Sequence, residues 1–487
     1  MDIGYLTLSS SSSSWIVDTL APAPAPVMPV PGACPAVPRR LQILHSSDNE
    51  SSFFSTKDLE PKASGYATIA AVLEQVAEEE GIPSIHVTAG DHTLPGPFYE
   101  ASAEIASFGQ PGLADIAIFN AIGLDANGIG NHEFDGGSSE FAHMLFSAEY
   151  PFISVNLDFS NSMLSDATAP PIRIGPDAAE CGSVAGHVVK SCYVETSSGP
   201  VGLIGRSPAD FFNVINDPPT TLPGIDFVGG RDPATNQPLE SAVPMVLAQV
   251  DLLEAAGVNI IILLDHAQDF TSDPLSANLL RGIDVVVSAG STGFLAQSMS
   301  FGPYNYLREG DMPTSQYPNI LTDSSGDMLL LVNTDQLYTY VGNLIVTFDD
   351  NGRLVTWDGR SGPVATSPDA IALFNQAGCM NAEVDDILAQ IRATPSIQEA
   401  FSVVGQTAVD LNGARADVRT RETNLGRIVA DSTLHGANMF ASKNGLPKID
   451  IGFKNGGGIR GTTVQSSNAD ILSPSAVLSS FRLGLWP

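Results

Sequence analysis

The sequence predicts an α/β fold, in which a large layered domain is followed by a second, smaller unit. Short apolar runs recur along the 487-residue chain, stretches with helical spacing separate several of them, and 43% of the residues are hydrophobic. Such short runs suit strands that are buried on both faces of a sheet. Their alternation with helices indicates a layered α/β arrangement.

The first strand and the first helix can be placed individually. Residues 41–45 are predicted to form a strand. A helix is predicted from Ser64 to Glu80, with Ser64 as its N-cap and Gly81 as its stop signal. The apolar positions of this helix fall at helical spacing and are Tyr66, Ile69, Leu73 and Val76.

Later elements define the expected domain organisation. Further strands are predicted at 85–89, 152–155, 201–204, 259–264 and 283–287, and a strand-rich stretch at 329–348 is expected to close the first domain. Helical spacing at 367–393 predicts a connector. We therefore expect a flexible Ser/Pro-rich segment at 1–40, a first domain at 41–360, a helical linker at 361–395 and a second domain at 396–487.

The net charge narrows the range of partners. The chain has 22 Lys and Arg against 54 Asp and Glu, a formal charge of −32. Such a surface repels nucleic-acid backbones and anionic membranes, so neither is expected as a partner. It also repels a phosphate substrate unless cations or a local arginine cluster reverse the potential. No apolar run approaches the ~20 residues of a membrane helix, and the sequence leaves the oligomeric state open.

The cysteines bear on the cellular compartment. None of the four has the spacing of a metal site. Cys181 and Cys192 lie eleven residues apart, and the sequence allows either a local disulfide in an exported protein or two unpaired thiols. We expect an extracellular or periplasmic location, although the first forty residues contain no recognisable secretory signal.

Polar residues of metal-ligand type follow successive apolar runs. In α/β domains, ligands bind beyond the carboxyl ends of the strands. The residues at these positions are Asp48, Glu50, Asp91, Asn131, His132 and His266. Recurrence at equivalent positions predicts a metal site, and its chemistry would be metal-assisted hydrolysis.

The segment 127–135, Asn-Gly-Ile-Gly-Asn-His-Glu-Phe-Asp, is the most informative stretch of the chain. Asn131 offers an amide oxygen to a hard cation, and His132 can donate a proton to a leaving group. Asp135 can orient that imidazole, or it can act as a helix N-cap. The segment thus supplies a candidate ligand beside a candidate acid.

These motifs resemble those of the calcineurin-like metallophosphatases, and in particular their 5′-nucleotidase branch. The resemblance rests on Asp48-Asn-Glu50, Gly90-Asp91, the Gly-Asn-His-Glu-Phe-Asp run that ends at Asp135, and Asp265-His266. It implies a layered β-sandwich flanked by helices, with a second, smaller α/β domain and two divalent metal ions. By this resemblance Asp48 and Asp91 are metal ligands and Asp91 bridges the ions. Asn131 and His266 are then ligands of the second ion, His132 is the catalytic acid, and Asp135 supports it.

The chain departs from the family pattern at two places. Glu50 stands where the family has a histidine. The family's Gly-His-x-His motif should follow the run at 283–287, but residues 288–293 read Ser-Ala-Gly-Ser-Thr-Gly. Each metal would lose a ligand there unless water, Ser291, Thr292 or a residue from elsewhere replaces it. The identity of the metals stays open among Zn, Mn, Ca, Mg and Fe.

The resemblance also extends into the second domain. Arg419 and the Asn-Gly-Gly-Gly-Ile-Arg run from Asn455 to Arg460 match family motifs that contact the substrate. Glycines let the backbone approach an anion, and arginine binds phosphate through a planar fork. The family's domain continues further and supplies aromatic residues that stack on a nucleobase, so this domain is expected to be incomplete.

The function expected from these residues is metal-dependent hydrolysis of phosphate monoesters. Nucleoside 5′-phosphates are the expected substrates, with His132 as general acid. One alternative is a broad-specificity alkaline phosphatase or phosphodiesterase on the same scaffold, which Glu50 favours. Another is a phosphatase-like binding protein with a decayed metal site, which the missing histidines at 288–293 favour.

Overall fold

The computed structural model of the protein describes residues 39–459, except for 56–58, 165, 167, 210, 216–221, 230–239, 269–277, 292, 298–302, 375–380, 403–406 and 408. The predicted flexible segment at 1–40 therefore lies almost wholly outside the described residues, as do Thr292 and Arg460. The division of the chain into domains at 41–360, 361–395 and 396–487 stays a prediction.

Seventeen strands are described, and they run in chain order. They are β1 (Arg39–Ser46), β2 (Ser84–Thr88), β3 (Ala126–Gly128), β4 (Phe152–Ile153), β5 (Leu157–Asp158), β6 (Ala179–Glu180), β7 (Val188–Val189), β8 (Ser191–Val194), β9 (Val201–Arg206), β10 (Asp226–Phe227), β11 (Ile261–Asp265), β12 (Val285–Ser288), β13 (Asn319–Thr322), β14 (Met328–Val332), β15 (Tyr340–Phe348), β16 (Leu354–Trp357) and β17 (Gly362–Ala365).

The described α-helices are α1 (Lys62–Glu79), α2 (Pro97–Ala101), α3 (Leu113–Ile122), α4 (Gly137–Ser147), α5 (Phe211–Val214), α6 (Val243–Ala255), α7 (Pro368–Leu373), α8 (Ala382–Ala393), α9 (Pro395–Ala400), α10 (Arg415–Thr420) and α11 (Asn424–Lys443). Short 3₁₀ turns lie at Ser102–Glu104, His132–Phe134, Cys181–Val184, Glu240–Ala242 and Gly456–Gly458. In the part of the chain that the structure describes, no helix combines the length and the apolar character needed to cross a bilayer.

Two large sheets form the layers of the fold. The first has the order β16-β15-β1-β2-β3-β4-β7, with β17 also paired to β15, and its strands from β1 to β7 are parallel. The second has the order β13-β14-β12-β11-β9-β8-β6, and β9, β11, β12 and β14 are parallel within it. The predicted mixed α/β class is confirmed.

Side chains that alternate along β1 show how the layers stack. Leu41 and Ile43 lie in an apolar core that also contains Ile262 of β11 and Leu330 of β14, so this core lies between the two sheets. Leu44 points the other way, into a core formed with the helices. This alternation follows from the two-residue period of a strand, and it gives the layered sandwich flanked by helices.

The predicted strands are present, with bounds shifted by up to two residues. The stretch at 329–348 forms β14 and β15, and β16 and β17 extend the first sheet to Ala365 by pairing with β15. The predicted connector is helical in α7 and α8, and Val384 and Ile387 of α8 pack into the core that contains α1 and α3.

The predicted start of the first helix is wrong. Helix α1 begins at Lys62 after Pro61, so Ser64 lies within the first turn and is not the N-cap. Its hydroxyl instead donates to Asp385 Oδ1 of α8 at 2.6 Å. A tertiary contact therefore uses the oxygen that the local pattern assigned to capping.

The two cysteines that lie eleven residues apart form a disulfide bond. Cys181 and Cys192 form a disulfide, with their Cα atoms 5.0 Å apart, and both residues are buried. The structure thus decides between the two alternatives that the sequence left open, in favour of the disulfide.

The described residues after α9 form a small separate core. Helices α10 and α11 contribute most of it, and its members are Leu411, Val418, Leu425, Val429 and Ile459. The 3₁₀ turn at Gly456–Gly458 packs against α10 and carries part of the predicted substrate motif.

Candidate metal centre

The loops that follow β1 and β2 are held together by their backbones. The N–H of Asp48 donates to Gly90 O at 2.9 Å, and the N–H of Glu50 donates to Asp91 O at 3.1 Å. Asp48, Glu50 and Asp91 have φ values of 52°, 50° and 56°, in the left-handed region that residues other than glycine rarely adopt. Such backbone strain costs roughly 1–3 kcal/mol per residue and persists only where the surroundings impose it.

These loops bring three predicted ligands together. A carboxylate oxygen of Asp48, one of Asp91 and a ring nitrogen of His266 all lie within 4.8 Å of one another. All three residues are buried. We call this group the carboxylate–histidine cluster. It forms because the loops that follow β1 and β2 of the first sheet meet the residue that follows β11 of the second sheet.

The environment of His266 fixes which ring nitrogen faces the cluster. Its Nδ1 lies 2.7 Å from Ala89 O, and because a carbonyl oxygen only accepts, Nδ1 carries the proton. Nε2 faces Asp91 Oδ2 at 3.1 Å, and it carries a lone pair whenever the ring gives up its second proton. Within the described residues this buried Nε2 has no hydrogen-bond partner. A buried carboxylate oxygen beside a ring nitrogen that can offer its lone pair is a pair of donors for a cation, so the residues suit a metal ion.

The pKa values of the cluster reflect the same concentration of charge. Burial and the nearby Asp91 raise the pKa of Asp48 to about 6, although His266 opposes this rise. Burial also works to raise the pKa of Asp91, but His266 and His132 outweigh it and hold that pKa below its usual range. Burial disfavours protonation of His266, yet Asp91 and Asp48 raise its pKa to about 10. The cluster therefore attracts positive charge.

His132 and Asp135 adjoin the cluster. His132 Nδ1 lies 2.7 Å from Asp135 Oδ2, and its Nε2 lies 3.9 Å from Asp91 Oδ2. The backbone N–H of His132 also donates to Asp91 Oδ1 at 2.7 Å. The N-cap of α4 is Gly136, so Asp135 contacts the imidazole and does not cap that helix. The ring is thereby oriented with Nε2 towards the carboxylates.

Asn131 meets a residue that the sequence did not single out. Gln268 Nε2 donates to Asn131 Oδ1. Gln268 lies two residues after His266 in the same loop, and this proximity was its only signal in the sequence.

Glu50 occupies the loop of Asp48 but is placed differently. It is half-buried, and its backbone N–H is bonded to Asp91 O. Among the residues that the structure describes, Glu50 is not part of the carboxylate–histidine cluster, whose ligand atoms lie within 4.8 Å of one another.

The segment 288–293 contacts the cluster through its backbone. The N–H of Gly290 donates to Asp48 Oδ2 at 3.0 Å. The hydroxyl of Ser291 accepts from the N–H of Gly293 at 3.2 Å, a contact within its own loop. A backbone amide thus meets Asp48 in the segment where the family resemblance places histidines.

Glu133 is a second residue whose role the sequence did not indicate. Its Oε1 accepts from the N–H of His92 and its Oε2 from the N–H of Gly130, each at 2.9 Å. Burial and the nearby Asp91 raise the pKa of Glu133 to about 7. This buried side chain ties the loop of Asp91 to the loop that carries Asn131 and His132.

Two of the predicted substrate residues lie in the part of the chain that forms the small core. Arg419 is on α10, and Asn455 precedes the 3₁₀ turn that packs against that helix. A Cβ at Gly456 would lie 2.0 Å from Val418 O, so only glycine permits this approach. A Cβ at Gly457 would lie 3.3 Å from Asn455 Nδ2 and 3.9 Å from an Arg419 guanidinium nitrogen. The structure therefore brings two of the three predicted side chains to one turn.

Comparisons with known proteins give a consistent picture. No protein-family model matches the chain. The chain is 26% identical over 440 residues to a 5′-nucleotidase of Rattus norvegicus, covering 88% of this chain and 66% of that protein. It is 25% identical over 439 residues to a snake venom 5′-nucleotidase of Naja atra, covering 89% and 72% of the two chains. The chain thus spans just under two thirds of the length of the first of these relatives.

A solved structure agrees with this likeness in fold. The 5′-nucleotidase precursor of Thermus thermophilus superposes with a TM-score of 0.65 and 23% identity, over 91% of this chain and 74% of that one. At 23% sequence identity, this similarity is evidence for a shared fold.

Proposed function

We propose that the chain is a member of the 5′-nucleotidase family of calcineurin-like metallophosphatases and a hydrolase of phosphate monoesters, with nucleoside 5′-phosphates as its substrates. The observation that carries the proposal is the buried carboxylate–histidine cluster beside the His132–Asp135 pair. This arrangement places cation ligands next to a proton donor.

Two divalent cations are proposed at the cluster. Asp91 would be shared, with Asp48 and Glu50 on one side and Asn131 and His266 on the other. Bound divalent cations supply Lewis acidity, which polarises phosphoryl oxygens and lowers the pKa of a water molecule. The chain's own contribution is to hold Asp48, Glu50 and Asp91 on loops with left-handed backbone conformations.

His132 is proposed as the general acid. Asp135 fixes the ring through Nδ1, and the resulting orientation leaves Nε2 facing the cluster. A carboxylate at Nδ1 favours the protonated imidazole, so the ring can deliver a proton from Nε2 to the departing oxygen of the substrate.

Nucleotide recognition is assigned to the proposed second domain. Arg419, Asn455 and Arg460 are the proposed substrate-side residues. They offer cationic and amide donors in a chain with only 22 basic residues, and this supports recognition of an anionic ligand. An extracellular or periplasmic location is also proposed, supported by the Cys181–Cys192 disulfide and by relatives from snake venom.

The proposal is tested by phosphate release from AMP, ADP and p-nitrophenyl phosphate. The full chain is treated with chelator and then assayed alone and with Mn²⁺, Mg²⁺, Zn²⁺ or Ca²⁺. We expect activity that chelator abolishes and a divalent cation restores, with AMP preferred over the aryl phosphate. Activity that persists in chelator, or none with any cation, would remove the metal-dependent mechanism.

Two specific observations keep other functions in view. Glu50 in place of a histidine favours a broad-specificity phosphatase or phosphodiesterase, which would show similar rates across leaving groups. The absence of histidines at 288–293 favours a phosphatase-like binding protein. Purified chain that carries two cations but releases no phosphate would argue against a decayed metal site and would require another substrate class.

A further inference from the structure

The backbone of Gln268 packs closely against Gly290, in the loop that contacts Asp48. Its φ of 68° lies in the left-handed region, which is uncommon for glutamine. A Cβ added to Gly290 would lie 2.6 Å from the Cα of Gln268, so the two loops are in close contact. Because the N–H of Gly290 donates to Asp48 Oδ2 at 3.0 Å, the backbone of Gln268 adjoins the Asp48 side of the cluster.

The side chain of Gln268 lies against Gly290 and reaches Asn131, since a Cβ at Gly290 would also lie 3.2 Å from the carboxamide carbon of Gln268. Its carboxamide contacts the carboxamide of Asn131. Asn131 directly precedes His132, whose N–H donates to Asp91 Oδ1 at 2.7 Å, and the other oxygen of Asp91 lies 3.1 Å from His266 Nε2. Two neutral carboxamides therefore meet beside the carboxylate and the imidazole.

The donor chemistry of the chain makes this contact informative. Residues 288–293 contain no histidine, so a neutral ligand that the resemblance places there has no counterpart in this chain. A carboxamide oxygen is also neutral, and it can coordinate a divalent cation without adding charge to Asp48 and Asp91. Half a turn of the carboxamide exchanges its oxygen and nitrogen within the same shape, so Gln268 can present Oε1 beside Asn131 Oδ1.

We propose that Gln268 is a metal ligand that replaces one of the two missing histidines, so that its carboxamide oxygen binds the same cation as Asn131, Asp91 and His266. The proposal rests on the proposed function only in treating the cluster as a metal site. Three oxygen donors and one imidazole suit oxygen-preferring cations such as Mn²⁺ and Mg²⁺. By this proposal the neutral ligand comes from the loop after β11, whereas the family pattern places it in the loop after β12.

The test measures binding of Mn²⁺ alone to the chelator-treated full chain by isothermal titration calorimetry, with elemental analysis of the dialysed protein. The variants are Gln268→Ala, Gln268→Gly and Gln268→Glu. Glycine suits the left-handed backbone at this position, so Gln268→Gly removes the side chain without adding strain. The matched control is Gln390→Ala, at an exposed position of α8.

The parent chain and Gln390→Ala are expected to bind two Mn²⁺. Gln268→Ala and Gln268→Gly should weaken one of the two sites by ~10–100-fold, the range seen when groups that support a metal site are removed. Gln268→Glu should retain both sites because a carboxylate oxygen remains available as a ligand. Circular dichroism confirms that each variant is folded.

Three results would overturn the proposal. The first is an unchanged Mn²⁺ affinity in Gln268→Gly. The second is tighter binding in Gln268→Gly, which would mean that the glutamine blocks the site. The third is no Mn²⁺ binding by the parent chain. Phosphate release is recorded separately. Weakened binding in a chain without phosphatase activity would leave the ligand assignment standing and the proposed function refuted, and unaffected binding in an active enzyme would do the reverse.

Discussion

Gly130 offers a sharp test of how the cluster is assembled. A Cβ at this position would lie 2.2 Å from Asp91 Oδ1 and 2.8 Å from the backbone nitrogen of Asp91. Ordinary contacts of a methyl carbon begin near 3.4 Å, so in Gly130→Ala either the carboxylate or the loop that carries His132 must retreat by about 1 Å. The carboxylate cannot retreat freely, because Asp91 Oδ1 accepts the N–H of His132 at 2.7 Å.

The expected cost has two parts. Overpacking and loss of a charged hydrogen bond should together lower the free energy of unfolding by about 2–3 kcal/mol. Misplacement of a reacting group by about 1 Å should lower kcat/KM by ~100-fold, and Mn²⁺ affinity should fall with it. These effects are measured by urea denaturation, phosphate release and Mn²⁺ calorimetry on the same preparation.

A second glycine provides the matched control. Gly436 lies inside α11, and among the described residues a methyl group there would meet no heavy atom within 4 Å. Gly436→Ala should therefore raise the free energy of unfolding by roughly 0.5–1 kcal/mol and leave metal binding unchanged. If Gly130→Ala matched the parent chain in Mn²⁺ affinity and activity, the packing of Gly130 against Asp91 would be wrong.

Three further predictions concern single side chains. His132→Asn should lower kcat by ~10²–10⁴-fold with little change in Mn²⁺ affinity, and Asp135→Asn should lower kcat less. Phosphate release measures kcat, and calorimetry measures the affinity for Mn²⁺. A kcat of His132→Asn equal to that of the parent chain would exclude the acid role. Burial, with Asp323 and Asp327 nearby, raises the pKa of Asp284 from 3.8 to about 8 despite a backbone hydrogen bond from Ile261. The folded chain then keeps a proton that the unfolded chain releases, so the free energy of unfolding should fall as the pH rises from about 4 to 8. Urea denaturation across this range should show a smaller fall in Asp284→Asn. The same dependence of the unfolding free energy on pH in both chains would refute the shift. Replacing Cys181 and Cys192 with serine should cost about 2–3 kcal/mol by urea denaturation, because a short loop loses its constraint, whereas equal stability with and without the bond would contradict this.

Much of the fold, and the meeting of three candidate ligands, could be predicted from the sequence because they depend on local patterns. Apolar runs mark strands buried on both faces, and the loops that follow them meet. Asp48, Asp91 and His266 come together for this reason. The start of α1 could not be predicted, because Ser64 bonds to a helix more than 300 residues away in the chain.

The contacts of the remaining residues could not be predicted from local patterns, although Glu133 lies in the segment 127–135. Gln268 and Glu133 act through contacts between loops, and neither residue type in isolation indicates a metal site. Gly290 contributes its backbone N–H, which any residue but proline possesses, so its contact with Asp48 could not be read from the sequence.

Backbone amides contact each of the buried carboxylates of this centre. Asp48 accepts from Gly290, Asp91 accepts from His132, and Glu133 accepts from two further backbone N–H groups. Their orientation therefore depends on loop conformation, including the left-handed residues at which the loops turn.

This dependence explains how the chain can lack the histidines of 288–293 and still keep its carboxylates in place. A histidine side chain there would add a ligand, whereas the backbone N–H of Gly290 orients Asp48 without one. The ligand set can then change by substitution at a neighbouring loop, as proposed for Gln268, provided that the backbone stays fixed. Substitutions that displace the backbone, such as a side chain at Gly130, should therefore damage metal binding more than the removal of any single neutral ligand.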